Sequence, residues 1–317
     1  MMKLKKAKAF IEKYNSFIIL PHVKPDGDAL GSALAIRYAL ESLGKRAVIW
    51  NEDILLHSLQ PFFQGTFNPY KPSGNFDAVI SIDTADIHRL GQRYAELDFL
   101  PLLNIDHHAT NSGYGDVNLI YGGLSSTGEV IALLLEELGI VFTKEIADAL
   151  YIALITDTNR FFYNSTTPAT LRLGARLLEA GADFEKIHRY IFGEKPLSLL
   201  RLLGIATEKI EFISPNIVYC RLTNDDMEKA GFYETDDVIN MLRDIEGVDV
   251  AALVYDYDTS RKLSLRSKGR QNVDELAQFF GGGGHLKAAG ATLSDDDLPT
   301  LKTKLKELED VGEDQFI

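Results

Sequence analysis

The chain has 317 residues, of which 45% are hydrophobic and 25% charged, and its formal net charge is −13. This length and composition predict a globular protein of about two domains. The acidic balance argues against tight, sequence-tolerant binding of long nucleic acid, which needs a basic surface. The one cysteine, Cys220, excludes an internal disulfide and is interpreted as a buried strand residue. Neither a signal peptide nor an apolar run of about 18 residues is found, so we expect a cytoplasmic protein without membrane association.

Strand-like and helix-like segments alternate through the first half of the chain. Apolar runs at 17–21, 46–51, 76–83 and 102–106 predict strands, and amphipathic patterns at 27–44 and 127–139 predict helices. This alternation predicts an α/β domain with a parallel sheet and helices on both faces. In such sheets, binding sites lie at the carboxyl ends of the strands.

A segment rich in potential metal ligands follows the first predicted strand. His22, Asp26 and Asp28 lie within seven residues, between that strand and the next helix. Imidazole and carboxylate groups at a strand end suit a divalent metal. The alternative is a polar turn whose aspartates cap the helix. Small residues such as Gly27 and Gly31 would also permit a phosphate to approach the helix N-terminus.

Two further apolar runs end in groups of the same kind. Asp83 follows the run 78–82 and could bridge two metals in the same crevice, although a lone aspartate there can also be an ordinary strand-end cap. Asp106, His107 and His108 end the run that begins at 102. Because successive strand residues point to opposite sides, one histidine can bind metal while the other faces the substrate.

Asp157 lies near the end of a predicted helix at 144–161. A helix C-terminus disfavours an anion, so an aspartate at this place favours a bound cation. The other histidines, His57, His88 and His188, have no ligand-like neighbours in the sequence and are interpreted as ordinary surface or helix residues.

A second, smaller α/β domain is predicted after residue 214. Strands are expected at 218–222, 250–257 and 262–266, and helices at 272–280 and 298–308. The preceding stretch, 187–213, is helical in pattern and short of turn signals. We therefore expect domains at 1–190 and 215–317, joined by a helical connector at 191–214.

The second domain carries a candidate phosphate clamp. Four glycines, 281–284, precede His285 and are predicted to form an anion-binding loop that leads into a small-residue helix start. The alternative is a flexible linker. Arg266 lies in a basic strand, 261–270, for which the alternative is a solvated edge strand. An arginine beside such a loop is well suited to grip a phosphate.

Together, in this order and spacing, the motifs resemble the DHH phosphoesterase superfamily. They are His-x-x-Pro-Asp-Gly-Asp-Ala-Leu-Gly-Ser, Ile-Asp, Asp-His-His, Thr-Asp-Thr and Gly-Gly-Gly-Gly-His-x-x-Ala-Ala-Gly. The closer resemblance, from about Phe17 to Leu308, is to the bifunctional oligoribonuclease and pAp-phosphatase branch, the nanoRNases. It implies an N-terminal DHH domain and a C-terminal DHH-associated domain, with the active site in the cleft between them.

The resemblance also implies roles for single residues. The first metal would be held by His22, Asp26 and Asp83, and the second by Asp28, Asp83, His107 and Asp157. His108 would contact the scissile phosphate, and Asp106 would orient an imidazole. The groups implied to hold the other end of the substrate are Arg266, Ser267 and His285, with Gly283 and Gly284 from the glycine run. One departure is Asn159-Arg160 after Thr-Asp-Thr, where the family often has glycine.

The expected function is hydrolysis of short oligoribonucleotides, dinucleotides and 3′-phosphoadenosine 5′-phosphate (pAp), by two-metal activation of a bridging hydroxide. The family favours Mn²⁺, with Mg²⁺ as the alternative, and is compatible with a homodimer. Two rival functions stay open. One is an exopolyphosphatase or pyrophosphatase on the same scaffold, and the other is a non-catalytic nucleotide-sensing module.

Overall fold

The computed structural model describes residues 2–257 and 260–308, and of His285 it describes the backbone alone. The chain divides into two compact units, residues 1–194 and 195–317. Each unit has its own sheet and its own hydrophobic core. A site in a cleft between the units stays a prediction.

The first unit is built on a five-stranded sheet in the order β2-β1-β3-β4-β5, in which every neighbouring pair is parallel. The strands are β1 (Ser16–Pro21), β2 (Arg46–Ile49), β3 (Ala78–Ile82), β4 (Leu102–Asp106) and β5 (Val117–Ile120). Every residue of β3 and β4 is buried, as expected of strands covered on both faces. The predicted parallel sheet is confirmed, and β5 is an additional strand.

Helices cover the two faces of this sheet unequally. The helices are α1 (Met2–Lys13), α2 (Gly27–Ser42), α3 (Gln60–Phe63), α4 (Gln92–Ala95), α5 (Thr127–Glu137), α6 (Lys144–Asp157), α7 (Pro168–Glu179) and α8 (Phe184–His188). On one face, α1, α2, α5 and α6 form a core with Phe17, Ile80 and Leu103. On the other face, α4 and a 3-10 turn at Ile87–Leu90 help to cover Ile18 and Trp50.

Close packing of α2 on α6 explains the glycines after the first ligand-rich segment. A Cβ atom at Gly27 would lie 2.5 Å from Cγ2 of Thr156, and one at Gly31 would collide with the carbonyl oxygen of Ala149. Both positions therefore need glycine for helix packing, whether or not a phosphate approaches them.

The second unit has a six-stranded mixed sheet in the order β10-β11-β9-β8-β7-β6. Only β7 and β8 are parallel, and the other neighbours are antiparallel. Cys220 is fully buried in β7, as predicted. The strands are β6 (Glu211–Ser214), β7 (Ile217–Leu222), β8 (Val250–Tyr257), β9 (Ser260–Ser267), β10 (Gly283–His285) and β11 (Ala288–Leu293).

In its described residues, 195–257 and 260–308, the second unit also has the helices α9 (Leu197–Glu208), α10 (Asn224–Ala230), α11 (Asp236–Asp244), α12 (Val273–Phe279) and α13 (Asp297–Glu307). Within the stretch predicted as a helical connector, α9 is followed by strand β6. Leu202 and Ala206 of α9 are buried in the same core as residues of β7, α10 and α11.

The helix start predicted after the glycine run is wrong. Residues 283–285 and 288–293 form an antiparallel hairpin, β10 and β11. A Cβ atom at Gly284 would lie 2.5 Å from the carbonyl oxygen of Ala288, so glycine is needed where the two strands approach closely. The solvated-edge alternative for the basic strand is also wrong, because β9 lies between β8 and β11.

Within residues 2–257 and 260–308, no helix is both long enough and apolar enough to cross a membrane.

Candidate metal centre

Three of the predicted metal-binding residues of the first unit come after the carboxyl ends of strands, and two lie at the ends of helices. His22 follows β1, Asp83 follows β3 and His107 follows β4, while Asp28 lies in the first turn of α2 and Asp157 ends α6. Parallel pairing puts Pro21 of β1 opposite Ile82 of β3, so the residues that follow them emerge at the same edge.

The first group of candidate ligands consists of His22, Asp26 and Asp83, whose ligand atoms all lie within 4.8 Å of one another. Nε2 of His22 is 3.9 Å from Oδ1 of Asp26 and 3.8 Å from Oδ2 of Asp83. Asp26 also accepts a hydrogen bond from the backbone N–H of Ala29 at 3.0 Å and so caps α2. The helix cap and the ligand geometry are therefore both present at Asp26.

The second group consists of Asp28, His107 and Asp157, again with ligand atoms within 4.8 Å of one another. Nε2 of His107 is 3.9 Å from Oδ2 of Asp28 and 3.6 Å from Oδ2 of Asp157. It is also 3.7 Å from Oδ1 of Asp83. One oxygen of Asp83 thus faces each group, which is the arrangement that a bridging carboxylate requires.

Hydrogen bonds hold in place the two most buried carboxylates among the candidate metal ligands, Asp28 and Asp83. Asp28 accepts from the backbone N–H groups of Thr127 at 2.7 Å and Gly128 at 3.0 Å, and from Oγ of Ser32 at 3.0 Å. The N-terminus of α5 therefore points at this carboxylate and favours its negative charge. Oγ1 of Thr127 donates to Oδ1 of Asp83 at 2.9 Å. Thr127 was not predicted as a site residue, and its only signal is its place in a Ser-Thr-Gly helix start.

Without a bound cation, the carboxylates of the two ligand groups repel one another. Burial raises the pKa of Asp28 well above its ordinary value, and the charges of Asp83 and Asp157 add to the effect. Burial and the charge of Asp26 likewise raise the pKa of Asp83. Burial raises the pKa of Asp157 to about 7, against the opposing charge of His107. A divalent cation among these oxygens would remove the repulsion and favour their ionised form. The oxygen and imidazole donors, without a thiolate, therefore fit divalent metals.

Backbone conformation is unusual on both sides of the cluster. Asp83 has φ +55°, and three successive residues, Asn159, Arg160 and Phe161, have φ +46°, +60° and +64°. Non-glycine residues seldom adopt this region, and such strain concentrates at functional sites. The turn after Asp157 therefore forms without the family's glycine. The guanidinium of Arg160 stacks on the ring of Phe192, 4.8 Å from its centroid.

His108 is hydrogen-bonded to Asp106 and also lies beside Asp83, whose Oδ1 is 3.6 Å from its Nδ1. Nδ1 of His108 lies 2.6 Å from Oδ1 of the fully buried Asp106, whose Oδ2 accepts from Nδ2 of Asn111 at 2.6 Å. Burial lowers the pKa of His108, but the hydrogen bond to Asp106 and the charges of Asp83, Asp106 and Asp157 together raise it to about 9. Asp106 thus orients an imidazole, as expected, and that imidazole is His108. Asn111 was missed, because an asparagine in a polar loop carries no distinguishing signal.

The second unit brings most of the predicted clamp onto neighbouring strands. Ala288 of β11 pairs with Arg266 on one side and with the backbone of His285 on the other, and Gly283 and Gly284 precede His285 in β10. Oγ of Ser267 is buried and has no hydrogen-bond partner among the described residues. A buried hydroxyl of this kind calls for a partner such as a ligand oxygen. The side chain of His285 lies outside the described atoms.

Arg266 is held by its own strand and by α11, where Oδ1 of Asp236 lies 3.6 Å from its Nη2. Nη1 of Arg266 donates to the carbonyl oxygen of Leu265 at 3.0 Å and to Oγ of Ser264 at 3.3 Å. Ser264 and Arg266 share one face of β9, as predicted, because Leu263, Leu265 and Ser267 are the buried residues that alternate with them.

Comparisons of sequence agree with this architecture. Residues 16–154 match the DHH family, N-terminal domain, and residues 216–310 match the DHHA1 domain. A Thermus thermophilus protein named bifunctional oligoribonuclease and PAP phosphatase NrnA is 32% identical over 282 residues, which are 88% of this chain and 85% of the relative. A Bacillus subtilis protein of the same name is 29% identical, over 94% of this chain and 97% of the relative.

Comparisons of structure show the same fold. An exopolyphosphatase-related protein from Bacteroides fragilis superimposes with a TM-score of 0.90 at 23% identity, covering 98% of this chain and 97% of that one. RecJ from Thermus thermophilus, in complex with Mn²⁺, has a TM-score of 0.59 at 14% identity and covers 96% of this chain and 54% of that one. The domain matches and the 32% identical relative establish that this chain belongs to the DHH family, with a DHH domain followed by a DHHA1 domain.

Proposed function

We propose that this protein is a metal-dependent phosphoesterase that hydrolyses short oligoribonucleotides, dinucleotides and pAp. The observation that carries the proposal is the pair of ligand groups on either side of Asp83. Relatives that match most of the chain are named bifunctional oligoribonuclease and PAP phosphatase, which supports the substrate class.

His22, Asp26 and Asp83 would hold one divalent metal, and Asp28, Asp83, His107 and Asp157 the other. Two divalent metals held by these groups would supply an activated water and neutralise phosphoryl oxygens. The donor set suits both Mn²⁺ and Mg²⁺. We favour Mn²⁺, which the family resemblance implies. A bound pair of divalent ions would also allow anionic substrates to approach a protein whose net charge is −13.

His108 is assigned to the reacting phosphate. Oδ1 of Asp106 lies 2.6 Å from Nδ1 of His108 and so fixes the orientation of the ring beside the two ligand groups. Against the opposing effect of burial, the bond to Asp106 and the nearby carboxylate charges raise the pKa of His108 to about 9. His108 is therefore protonated near neutral pH and can stabilise developing charge or donate a proton to the leaving oxygen.

The second unit is assigned to the rest of the substrate. Arg266, Ser267 and the β10 residues Gly283, Gly284 and His285 would grip a second phosphate or the terminal nucleotide. The pairing of β9 and β10 with the same strand, β11, supports this role for Arg266 and the β10 residues. Ser267 alternates with Arg266 and lies on the buried face of β9, where its hydroxyl has no hydrogen-bond partner among the described residues. Homodimerisation and a cytoplasmic location stay predictions.

One assay separates this proposal from its rivals. Purified protein with Mn²⁺ is offered pAp, a dinucleotide, an RNA of ~24 nucleotides and polyphosphate. We expect turnover of pAp and the dinucleotide, loss of that turnover in Asp157→Ala, and no change in Asp98→Asn, an exposed aspartate after α4. Polyphosphate as the preferred substrate would favour the exopolyphosphatase alternative. Binding of nucleotides without turnover would favour a sensing module.

A further inference from the structure

Arg89 places a cation beside the first ligand group. It belongs to the 3-10 turn Ile87–Leu90, which follows β3 and Asp83. Its side chain is exposed to solvent, yet its Nη2 lies 3.3 Å from Nδ1 of His22. None of the motifs in the sequence includes this arginine.

The fold, rather than chance side-chain placement, brings Arg89 to this position. The backbone N–H of Val23 donates to the carbonyl oxygen of Arg89 at 2.8 Å, so the 3-10 turn is tied to the residue after His22. Arg93, which is buried, donates to the carbonyl oxygens of Trp50 at 2.6 Å and Pro21 at 3.2 Å. These bonds fasten the turn and α4 to the carboxyl ends of β1 and β2.

His22 does not satisfy the charge of Arg89. Nδ1 of His22 also lies 2.8 Å from the carbonyl oxygen of Val23, which can only accept a hydrogen bond. Nδ1 therefore carries the ring proton, which leaves Nε2 free to face Asp26 and Asp83. A protonated Nδ1 cannot accept from Arg89. In the described parts of the chain, moreover, no carboxylate lies within ion-pair distance of this guanidinium.

The charge of Arg89 also acts on the carboxylate of Asp26, and it would oppose a divalent metal held by this ligand group. An anion that contacts both the metal and the guanidinium removes that opposition. A phosphoryl group does so best, because the planar fork of arginine matches two of its oxygens. The charge of Arg89 is thus unfavourable in the resting site and favourable once a phosphate is present.

We propose that Arg89 forms a phosphate-binding site on the first unit and contacts the phosphate that is hydrolysed. The inference rests on the proposed function for the identity of the substrate. It differs from the assignment of Arg266, which lies in the second unit and grips the rest of the nucleotide. Loss of the Arg89 side chain should therefore lower kcat/KM by the same factor for every substrate, including a minimal ester that has no nucleotide for the second unit to bind.

The test compares Arg89→Ala and Arg89→Lys with Arg172→Ala, an exposed arginine on α7 that serves as the control. We expect kcat/KM of Arg89→Ala to fall by about ten- to a hundredfold, the range for one charge-assisted hydrogen bond. The loss should be the same on pAp, a dinucleotide and bis-p-nitrophenyl phosphate. Lysine should recover only part of the activity, because it lacks the fork.

A second readout does not depend on turnover. Orthophosphate binding to the Mn²⁺-loaded protein, measured by calorimetry, should weaken about tenfold in Arg89→Ala and stay unchanged in Arg172→Ala. Bound Mn²⁺ should stay at the wild-type stoichiometry. Loss of Mn²⁺ from Arg89→Ala would show that Arg89 only positions His22, and unchanged phosphate binding would exclude the site. If wild-type protein hydrolyses no nucleotide, the proposed substrate class fails, whereas orthophosphate binding still decides the role of Arg89.

Discussion

Replacing Asp83 with asparagine should make the metal-free protein more stable and the metal-loaded protein less stable. The ligand oxygens of Asp83 and Asp26 lie within 4.8 Å of each other. Two unit charges at that distance repel by about 3.5 kcal/mol at an effective dielectric constant of ~20. Proton uptake relieves part of this repulsion, and the protonated His108, whose Nδ1 lies 3.6 Å from Oδ1 of Asp83, offsets a further part. We therefore expect metal-free Asp83→Asn to gain about 1–3 kcal/mol, or about 2–4 °C in Tm for each kcal/mol in a unit of this size.

Asparagine is the appropriate replacement because it retains the other two features of this position. Its amide oxygen can still accept from Oγ1 of Thr127, and it tolerates the φ of +55° better than most residues. Asp83→Ala is the informative comparison. It loses the hydrogen bond, about 1 kcal/mol, and puts a residue with poor left-handed tolerance at a strained φ, about 1–2 kcal/mol. The alanine variant should thus gain little or nothing in stability.

Differential scanning fluorimetry in EDTA and in Mn²⁺ measures both effects. In EDTA, Asp83→Asn should melt above wild type. In Mn²⁺, the order should reverse, because wild type gains binding free energy at two sites and the variant loses a ligand from both. Turnover should disappear in the variant. The same stability order in both conditions, or two bound Mn²⁺ ions in Asp83→Asn, would refute the bridging assignment.

Four further results are expected. Because the folded-state pKa of Asp157 is raised to about 7, the contribution of Asp157 to metal-free stability is present at low pH and lost as pH rises through 7. Below pH 7, Mn²⁺ must displace protons from the site. Calorimetry should therefore show that the affinity for Mn²⁺ rises about tenfold per pH unit for each proton released. A flat profile would contradict this linkage. Asp106→Asn should keep both metals and lower kcat by about ten- to a hundredfold, since Asp106 only orients His108; metal analysis beside turnover would expose a direct role in metal binding. Arg266→Ala should raise KM for pAp and dinucleotides, with kcat/KM falling by about ten- to a hundredfold; an equal loss on bis-p-nitrophenyl phosphate would move Arg266 to the reacting phosphate. Rates should fall steeply from a dinucleotide to an RNA of ~24 nucleotides, and processive digestion of the long strand at an equal rate would contradict the nanoRNase assignment.

The ligand positions could be predicted because parallel sheets converge at one edge. An apolar run that ends in a carboxylate or imidazole marks a strand end, and strand ends of one parallel sheet lie together. His22 and Asp83 illustrate this, since the β1–β3 register places their preceding residues opposite each other. No pairwise contact had to be known in advance.

The hairpin after the glycine run could not be predicted in the same way. Glycine permits an anion-binding turn, and it also permits two strands to approach closely, so the run itself does not distinguish the two. What decides is the backbone of a neighbouring strand: the carbonyl oxygen of Ala288 occupies the space that a Cβ atom of Gly284 would need. That contact is tertiary, so it cannot be predicted from the local sequence.

Residues that contact the candidate ligands from outside the motifs could not be predicted from the sequence. Thr127 reaches Asp83 across 44 positions of sequence, and Arg89 reaches His22 across 67. Both contacts depend on where helix α5 and the turn after β3 settle against the sheet. By contrast, Asp83 and Asp157 break a local rule: one is a non-glycine residue at positive φ and the other is an anion at a helix C-terminus. Natural sequences retain such departures mainly at functional sites. The helix-terminal position of Asp157 is visible in the sequence pattern, whereas the positive φ of Asp83 is visible only in the structure. Thr127 and Arg89 break no local rule, so only their contacts with Asp83 and His22 reveal them.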